Sequence, residues 1–306
     1  MLNAERRRGL ALTSGFGTLL ALAGTLAAQE VAVPRLISPA EFVGLQAQGP
    51  VTVIDVRQAW SSYLQNHLPD AVWLNIETLR SGLGSLPFQL LSAVQYAEIF
   101  SRLGIGPNRP VVVYSAGDQS DIDATYVVWL IHQMGHPEVR LLDGGYARWQ
   151  LEGRPVTQRY PRLAPVRRFK SGAFHPPLAT LADVRAAITG GGDVLLVDAR
   201  PAEQYSGLAG AQARRGHIPG ALSHPWKDDL EVRDLVLVWK GKADLLAGYE
   251  AQGITQDRSI ILYCNSSTEA SHLFFALRYL LGYPRVRIYT GAWSEWAERE
   301  ELPVEP

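Results

Sequence analysis

The chain contains a single cysteine, Cys264, among its 306 residues. One cysteine excludes an internal disulfide, and it also excludes a zinc or iron–sulfur site built from several cysteines. The chain also lacks an excess of charge of either sign, because 29 Lys and Arg are balanced by 30 Asp and Glu, for a formal net charge of −1. Nothing in this balance indicates nucleic-acid binding, and we expect no nucleic acid among the partners.

Charged residues are few overall, at 19%, whereas hydrophobic residues make up 47% of the chain. This composition is typical of a folded globular protein and not of a disordered one. The length suggests two domains of ordinary size, each large enough to bury its own core.

The first 28 residues form a segment of their own. Three arginines at positions 6–8 precede an uncharged stretch, residues 9–28, that is rich in Leu, Ala and Gly. This pattern is typical of a bacterial export signal, and the arginine cluster fits the twin-arginine route. We expect a cleaved signal, a periplasmic or otherwise exported protein, and no stable membrane association after cleavage. The alternative is an uncleaved anchor, because about 20 uncharged residues suffice to span a bilayer.

The rest of the chain contains the same motifs twice. Four segments match in the same order: 51–57 with 194–200, 67–71 with 217–221, 110–115 with 259–264, and 143–149 with 290–296. The offset stays between about 143 and 150 positions, which indicates an internal duplication. In this alignment Ser115 occupies the place of Cys264.

Within each copy, short runs rich in Val and Ile alternate with helical patterns. The patterns predict strands at 111–114 and 260–263, and helices at 124–134, 243–252 and 270–281. This alternation predicts an α/β fold in which each copy forms a parallel sheet flanked by helices. Ligands of such sheets bind at the carboxyl ends of the strands, which is where Cys264 falls.

The predicted domain boundaries follow from the repeats. The first copy spans residues 36–150 and the second spans residues 178–306. Between them, residues 151–177 contain five prolines and scattered basic residues. This composition predicts an extended connector that wraps around the domains without packing into them.

Cys264 stands between an apolar strand and the polar loop 265–269, which leads into the helix predicted at 270–281. A thiol at a helix N-terminus faces unpaired N–H groups and the positive end of the helix dipole, and both favour the thiolate. We therefore expect the loop to form a cradle of N–H groups around a reactive sulfur. The alternative is a buried, inert cysteine.

These motifs resemble the rhodanese superfamily. The resemblance rests on the Asp198-x-Arg200 pair, the segment 216–221, the strand that ends in Cys264 and the closing segment 289–296. It covers about residues 36–306 and is closest to the two-domain type, the thiosulfate and 3-mercaptopyruvate sulfurtransferases. It implies two tandem rhodanese-like domains with catalysis in the second alone. Because Ser115 cannot form a persulfide at neutral pH, the first domain is predicted to supply only interface and stability.

The resemblance also implies an activity. A two-domain rhodanese moves a sulfane sulfur from thiosulfate or 3-mercaptopyruvate to a thiol or cyanide acceptor, through a persulfide on the residue matching Cys264. It implies no metal and no organic cofactor. The non-enzymatic alternative is a rhodanese-like sulfur carrier or interaction module. Phosphatases of a related fold require an arginine at the position of Ala270, so phosphatase activity is not expected.

The candidate substrate-binding residues are two arginines and the loop after the cysteine: Arg200, Arg215, Asn265, Ser266, Ser267, Thr268 and Glu269. Arg200 could bind the anionic group of a donor in a bidentate manner. Its alternative role is a structural ion pair with Asp198, since Arg57 occupies the matching place in the inactive copy. His67 and His217 recur in the same way, and we expect them to order loops.

The loop departs from the family pattern at two positions, because the family usually has Gly where this chain has Ser267 and Thr where it has Glu269. A carboxylate beside the thiol would raise the pKa of the thiol unless it pointed away. We expect Glu269 to point outward from the start of the helix.

Overall fold

The computed structural model describes residues 32–83, 86–107, 109–118, 122–163, 166, 169, 174–190 and 193–306. The expected export signal lies outside these residues. The elements of the first copy are β1 (Arg35–Ile37), α1 (Pro39–Gln48), β2 (Thr52–Asp55), α2 (Trp60–Gln65), β3 (Ala71–Trp73), a 3-10 helix (Ile76–Leu79), β4 (Arg80–Leu83), β5 (Leu86–Leu90), α3 (Ala93–Arg102), β6 (Val111–Tyr114), α4 (Asp123–Gln133), β7 (Val139–Leu142) and α5 (Gly145–Leu151).

The elements of the second copy are β8 (Leu178–Ala179), α6 (Leu181–Thr189), β9 (Val194–Asp198), α7 (Ala202–Tyr205), β10 (Leu222–Ser223), a 3-10 helix (Trp226–Asp229), β11 (Leu230–Arg233), β12 (Val236–Trp239), α8 (Lys242–Ala251), β13 (Ser259–Tyr263), α9 (Thr268–Phe274), a π-helical turn (Phe275–Leu280), β14 (Val286–Tyr289) and α10 (Ala292–Glu298).

Each copy contains one five-stranded parallel sheet, so the predicted α/β fold is confirmed. The strand order is β1-β7-β6-β2-β3 in the first copy and β8-β14-β13-β9-β10 in the second, which is the same order for corresponding strands. The middle strands, β6 and β13, are apolar runs with almost every residue buried, as expected for a sheet covered on both faces. Ser115 and Cys264 directly follow these two middle strands.

The two copies share a single apolar cluster, in which α4 packs against α9. The rings of Trp129 and Phe274 meet edge-on with their centroids 6.4 Å apart. Nearby, the hydroxyl oxygens of Thr125 and Ser271 lie 3.3 Å apart. Since α9 begins just after Cys264, the helix that supports the candidate active loop is anchored on the copy that lacks a cysteine.

The helix predicted over residues 270–281 consists of α9 followed by the π-helical turn. The sequence Asp123-Ala-Thr-Tyr126 matches Glu269-Ala-Ser-His272, and Gly135 matches Gly282 beyond the helices. The second copy thus holds one more residue between these landmarks. A π-helical turn absorbs one extra residue without ending the helix, which explains the departure from the prediction.

Each copy also sends an antiparallel hairpin toward the other. The hairpin β4–β5 begins at Arg80, which reaches the loop after Cys264. The hairpin β11–β12 reaches the first copy, where the backbone N–H of Trp239 donates to Asp143 Oδ1 at 3.0 Å. Leu230, which begins β11 as Arg80 begins β4, lines a small cavity of about 40 Å³ beside Ser115. Each hairpin therefore places its first residue beside the other copy: Arg80 lies at the loop after Cys264, and Leu230 lies near Ser115.

The connector differs from its prediction at one point. Phe169 is buried, with 3% of its surface exposed, and its ring meets Phe100 edge-on with the centroids 6.2 Å apart. The connector therefore packs into the core of the first copy as well as passing over it. Within the described ranges, no helix combines the length and the apolar character needed to cross a bilayer.

Candidate active site

Cys264 is fully buried at the end of β13. Its carbonyl oxygen accepts a hydrogen bond from the N–H of Trp293 at 2.7 Å, which ties the strand end to the start of α10. The backbone N–H groups of Ala270 and Ser266 lower the pKa of its thiol, as groups of the predicted cradle would.

Glu269 lines the cavity between the two copies, and its carboxylate acts on the thiol in the opposite sense. Burial raises the pKa of the thiol well above its ordinary value, the Glu269 carboxylate raises it further, and the N–H groups of Ala270 and Ser266 lower it. Two expectations are therefore wrong: Glu269 does not point outward, and the surroundings favour the thiol over the thiolate. The physical reason is that desolvation and a neighbouring negative charge outweigh the N–H groups of one short helix.

Ser267 adopts a left-handed backbone conformation, with φ of 73°, at the start of α9. Only glycine enters this region without strain, which fits the glycine that the family usually has there. The Ser267 side chain is buried, and its hydroxyl finds no hydrogen-bond partner among the described residues. Ala292 is also left-handed, with φ of 57°, and the N–H of the next residue, Trp293, donates to the Cys264 carbonyl oxygen. Both the loop after Cys264 and the segment that contacts its backbone therefore contain a strained residue.

The other loop residues divide into two groups. Ser266, Thr268 and Glu269 line a cavity of about 630 Å³ between the two copies. Asn265 instead turns toward α7, where its Nδ2 donates to Gln204 Oε1 at 2.7 Å. The backbone oxygen of Asn265 accepts from the Ser294 hydroxyl at 2.7 Å. Asn265 and Ser267 therefore shape the loop, and the cavity is reached by the other three.

The structure places both predicted arginines away from this cavity. Arg200 is 1% exposed, its guanidinium pairs with Asp198 at 2.5 Å, and it donates to the carbonyl oxygen of Gly216 at 2.8 Å. Arg57 makes the matching pair with Asp55 at 2.7 Å in the copy without a cysteine. Arg200 therefore has the structural role that was the alternative to substrate binding. Arg215 is exposed on the loop before His217 and does not line the cavity.

The two recurring histidines hold loops in both copies. The His67 ring stacks on Tyr63 with centroids 3.9 Å apart, and the His217 ring stacks on Tyr205 at 3.7 Å. The Nδ1 atoms lie 2.8 Å and 3.0 Å from the carbonyl oxygens of these same tyrosines. Their repetition in both copies agrees with the expected loop-ordering role.

Arg80 was not identified from the sequence, and it comes from the other copy. Its Nη1 donates to Thr268 Oγ1 at 3.3 Å and to the carbonyl oxygen of Ser266 at 3.5 Å. Its Nη2 pairs with Glu77, and the side chain is 8% exposed. The first copy therefore supplies part of the site, beyond the interface and stability predicted for it. The sequence does contain one indication of this role, because a charged residue, Arg80, occupies the position that Leu230 occupies in the other copy.

Among the described residues, the lining of the cavity combines three carboxylates with two cations. Glu77, Arg80 and Asp123 come from the first copy, and Lys227 and Glu269 come from the second. Burial raises the pKa of Asp123 to about 6; Arg80 and a hydrogen bond from Gln58 lower it, and the nearby Glu77 and Glu269 raise it. In the part of the chain that the structure describes, no group of three or more His, Cys, Asp and Glu side chains could hold a metal ion.

Comparison with protein families matches the rhodanese-like domain twice, at residues 38–152 and 180–299. A relative from Synechococcus elongatus, named putative thiosulfate sulfurtransferase, is 33% identical over 298 residues, which cover 94% of this chain and 91% of the relative. The 3-mercaptopyruvate sulfurtransferase of Escherichia coli is 33% identical over 254 residues, covering 82% and 87%. The sulfur carrier protein TtuD of Thermus thermophilus is 33% identical over 283 residues, covering 89% and 96%.

Solved structures with the same fold include wild-type EanB, with a TM-score of 0.74 and 21% identity over 89% of this chain and 69% of that one. YnjE superposes with a TM-score of 0.73 and 23% identity, over 88% and 67%. The predicted tandem rhodanese fold is confirmed by the two domain matches, and the predicted sulfurtransferase class is confirmed by the relatives that carry this name. The two matches together cover most of the chain, so the chain belongs to the rhodanese family.

Proposed function

We propose that the protein moves a sulfane sulfur from thiosulfate or 3-mercaptopyruvate to a thiol or cyanide acceptor through a persulfide on Cys264. One observation carries the proposal: the only thiol in the chain directly follows the middle strand of the second sheet, and Ser266, Thr268 and Glu269 of the loop after it line the cavity between the copies. The relatives named for thiosulfate and for 3-mercaptopyruvate support both donors.

The reaction has two halves. The Cys264 sulfur attacks the outer sulfur of the donor, and the bond to that sulfur breaks with its electron pair leaving on sulfite or on the enolate of pyruvate. An acceptor then attacks the outer sulfur of the persulfide, and the electron pair of the broken S–S bond returns to Cys264. The N–H groups of Ser266 and Ala270 stabilise negative charge on the sulfur in both halves.

The anionic group of the donor binds to Arg80 in this proposal, in place of the two arginines expected from the sequence. Arg80 stands at the wall of the cavity and contacts the loop that carries Ser266 and Thr268. Lys227, exposed at the same cavity, adds a second positive charge. Because the Nε and Nη2 groups of Arg80 already donate to Glu77, the anionic group of the donor competes with this carboxylate for the guanidinium.

A direct assay tests the proposal. The protein is mixed with each donor and cyanide, thiocyanate is measured, and mass spectrometry looks for one added sulfur atom on Cys264. We expect both signals in the wild type and neither in Cys264→Ser. Absence of both signals with both donors would overturn the proposal.

A sulfur carrier is the second candidate, and two observations favour it. One relative is named sulfur carrier protein TtuD, and the Cys264 thiol has a raised pKa that slows its attack on a free donor. A carrier would hold the added sulfur stably on Cys264 and give no multiple turnover with small acceptors. The same two measurements therefore separate the candidates.

We also propose that residues 1–28 direct export and are removed, as the arginine cluster and the uncharged stretch indicate. Expression of the full chain in a bacterium, followed by N-terminal sequencing of the periplasmic fraction, tests this. A protein that keeps its first residues and stays with the membrane would contradict it.

A further inference from the structure

The guanidinium of Arg80 is held by contacts on three sides. Its Nε donates to Glu77 Oε2 at 2.9 Å, and its Nη2 donates to the other carboxylate oxygen, Oε1. Its Nη1 faces the loop after Cys264, where it donates to Thr268 Oγ1 at 3.3 Å. One face lies over the ring of Phe88, with Cζ 4.5 Å from the ring centroid. The Glu77 carboxylate therefore occupies the edge of the guanidinium that best accepts a planar group with two oxygens.

The two partners of this ion pair differ in exposure. The Arg80 side chain is 8% exposed, whereas the Glu77 side chain is 56% exposed. Phe88, whose ring covers the guanidinium, has a left-handed backbone with φ of 64°, a conformation that persists only where the surrounding structure holds it. Because an exposed carboxylate regains water when it leaves an ion pair, opening the pair from the Glu77 side costs little. Glu77 can therefore be displaced while Arg80 stays beside the loop.

The charges around the cavity limit which anion can displace Glu77. Within the described ranges, the lining of the cavity sets Glu77, Asp123 and Glu269 against Arg80 and Lys227. A donor with a single carboxylate places one negative charge where the Glu77 carboxylate had placed one. Thiosulfate is a dianion and brings a second negative charge toward the remaining carboxylates. Repulsion between like charges therefore discriminates between the two donors.

We propose that Glu77 is a specificity-determining residue of this site, which binds Arg80 as an internal anion in the free protein and favours donors with one carboxylate, such as 3-mercaptopyruvate, over thiosulfate. This inference rests on the proposed function, in which Arg80 binds the anionic group of the donor. A carboxylate donor replaces Glu77 with the same pair of parallel hydrogen bonds. The Glu77 side chain then turns to the solvent, and a dianion binds against its repulsion.

This role and a purely structural role for Glu77 predict opposite signs. If Glu77 only held Arg80 in position, Glu77→Gln would let the guanidinium move and would raise KM for both donors. If Glu77 competes with the donor, Glu77→Gln lowers KM for 3-mercaptopyruvate about 2- to 5-fold, the range for an ion pair with an exposed partner, and leaves kcat unchanged. For thiosulfate, KM should fall at least about twice as much, because both of its negative charges are relieved of repulsion.

Binding without sulfur transfer gives a second measurement that is independent of the proposed function. In the Cys264→Ser protein, calorimetric titration with pyruvate and with sulfate measures the affinity for a carboxylate and for a dianion, neither of which carries a transferable sulfur. Adding Glu77→Gln should tighten the binding of both, and that of sulfate more. In the Arg80→Leu background, Glu77→Gln should leave the affinity for pyruvate unchanged, because the guanidinium is the group for which the anions compete.

Glu98→Gln serves as the matched control, because Glu98 accepts from Arg102 Nε at 2.9 Å on α3, and it should match the wild type. An unchanged or raised KM in Glu77→Gln, equal changes for both donors, or tighter pyruvate binding in the Arg80→Leu background would overturn the proposal. Should Glu77→Gln fail to fold, Glu77→Ala is measured in the same way and decides by the same outcomes. Wild-type protein that forms no persulfide with either donor would show that the proposed function fails, while the titrations still decide whether Glu77 competes for Arg80.

Discussion

The two copies use the same contacts to build their sheets and loops but differ at the positions around the sulfur. Both pair an aspartate with an arginine at the end of a strand, at Asp55 and Arg57 in one and Asp198 and Arg200 in the other. Both donate a tryptophan indole N–H to a proline carbonyl oxygen at 2.8 Å, from Trp149 and from Trp296. Because these contacts also occur in the copy without a thiol, their role is to hold the fold and not to carry out chemistry.

The differences mark the chemistry. Ser115 stands where Cys264 stands, and Leu230 stands where Arg80 stands. Because the hairpins cross, Arg80 lies at the loop of the second copy and Leu230 lies at the loop of the first. The copy without a thiol therefore contributes Arg80 to the loop of its neighbour and has a serine in place of its own cysteine.

The largest effect is expected from exchanging the two central residues. Cys264→Ser should abolish persulfide formation, since a hydroxyl is not a nucleophile at neutral pH in this setting. Ser115→Cys in the same chain should not restore it, because Leu230 offers no positive charge to a donor there. Thiocyanate formation measures both. Activity in the double variant would contradict this expectation, since it would show that the first copy lacks only a thiol.

A large loss of stability is expected when either buried arginine is removed. Arg57→Leu and Arg200→Leu each leave a buried aspartate without its partner, which costs about 3–5 kcal/mol. Urea unfolding compares the two variants with the wild type. Matching losses would confirm that the pairs are equivalent. If the Arg200→Leu protein had normal stability and a raised KM for the donor, Arg200 would be a substrate-binding residue and not a structural one.

A smaller effect is expected on donor binding when the crossing arginine is replaced by its counterpart. Arg80→Leu removes hydrogen bonds to a charged donor, worth about 1.5–3 kcal/mol, and should lower kcat/KM about 10- to 100-fold, mainly through KM. Arg102→Leu is the matched control, because the Arg102 side chain is 78% exposed and pairs with Glu98 across one helix turn. Steady-state kinetics with both donors gives the answer, and an unchanged KM would remove Arg80 from the proposal.

The smallest effect concerns Asp123, the counterpart of Glu269 in the first copy. Burial raises its pKa from the ordinary 3.8 to about 6, so the folded protein binds a proton there more tightly than the unfolded chain does. The free energy of unfolding therefore falls as the pH rises between about 4 and 6, and the full penalty is present at neutral pH. Asp123→Asn should raise the free energy of unfolding at neutral pH by about 1–3 kcal/mol and should weaken its dependence on pH between about 4 and 6. Reduced stability at neutral pH would show that the charge of Asp123 is needed by Arg80.

The fold could be predicted from the sequence because it depends on local signals that occur twice. Runs such as 111–114 and 260–263 are apolar throughout, and the spacing of the motifs repeats over most of the chain. The place of Cys264 followed from the same signals, since a residue after a middle strand of a parallel sheet lies at the ligand-binding edge. The π-helical turn at Phe275–Leu280 could not be predicted from the sequence, because one inserted residue hardly alters the spacing of apolar residues in a helix.

The direction of the thiol pKa and the role of Arg80 could not be predicted from the sequence. The first depends on which way the Glu269 side chain turns, and both orientations are compatible with the first turn of a helix. The second depends on how two copies pack, which brings Arg80 beside Thr268 although the two are 188 positions apart. Arg200 shows the reverse case, because its motif is conspicuous in the sequence while its side chain is fully used inside the fold.

The contact between Thr125 and Ser271 has a consequence for how this site arose and how it can change. Matching residues of matching helices meet there, which is the arrangement of an isologous two-fold dimer, with the subunits tethered in one polypeptide. In a dimer of identical subunits, each substitution would alter both loops and both hairpins at once. In one polypeptide, a substitution alters a single half, so a residue can be gained at one loop and given up at the other.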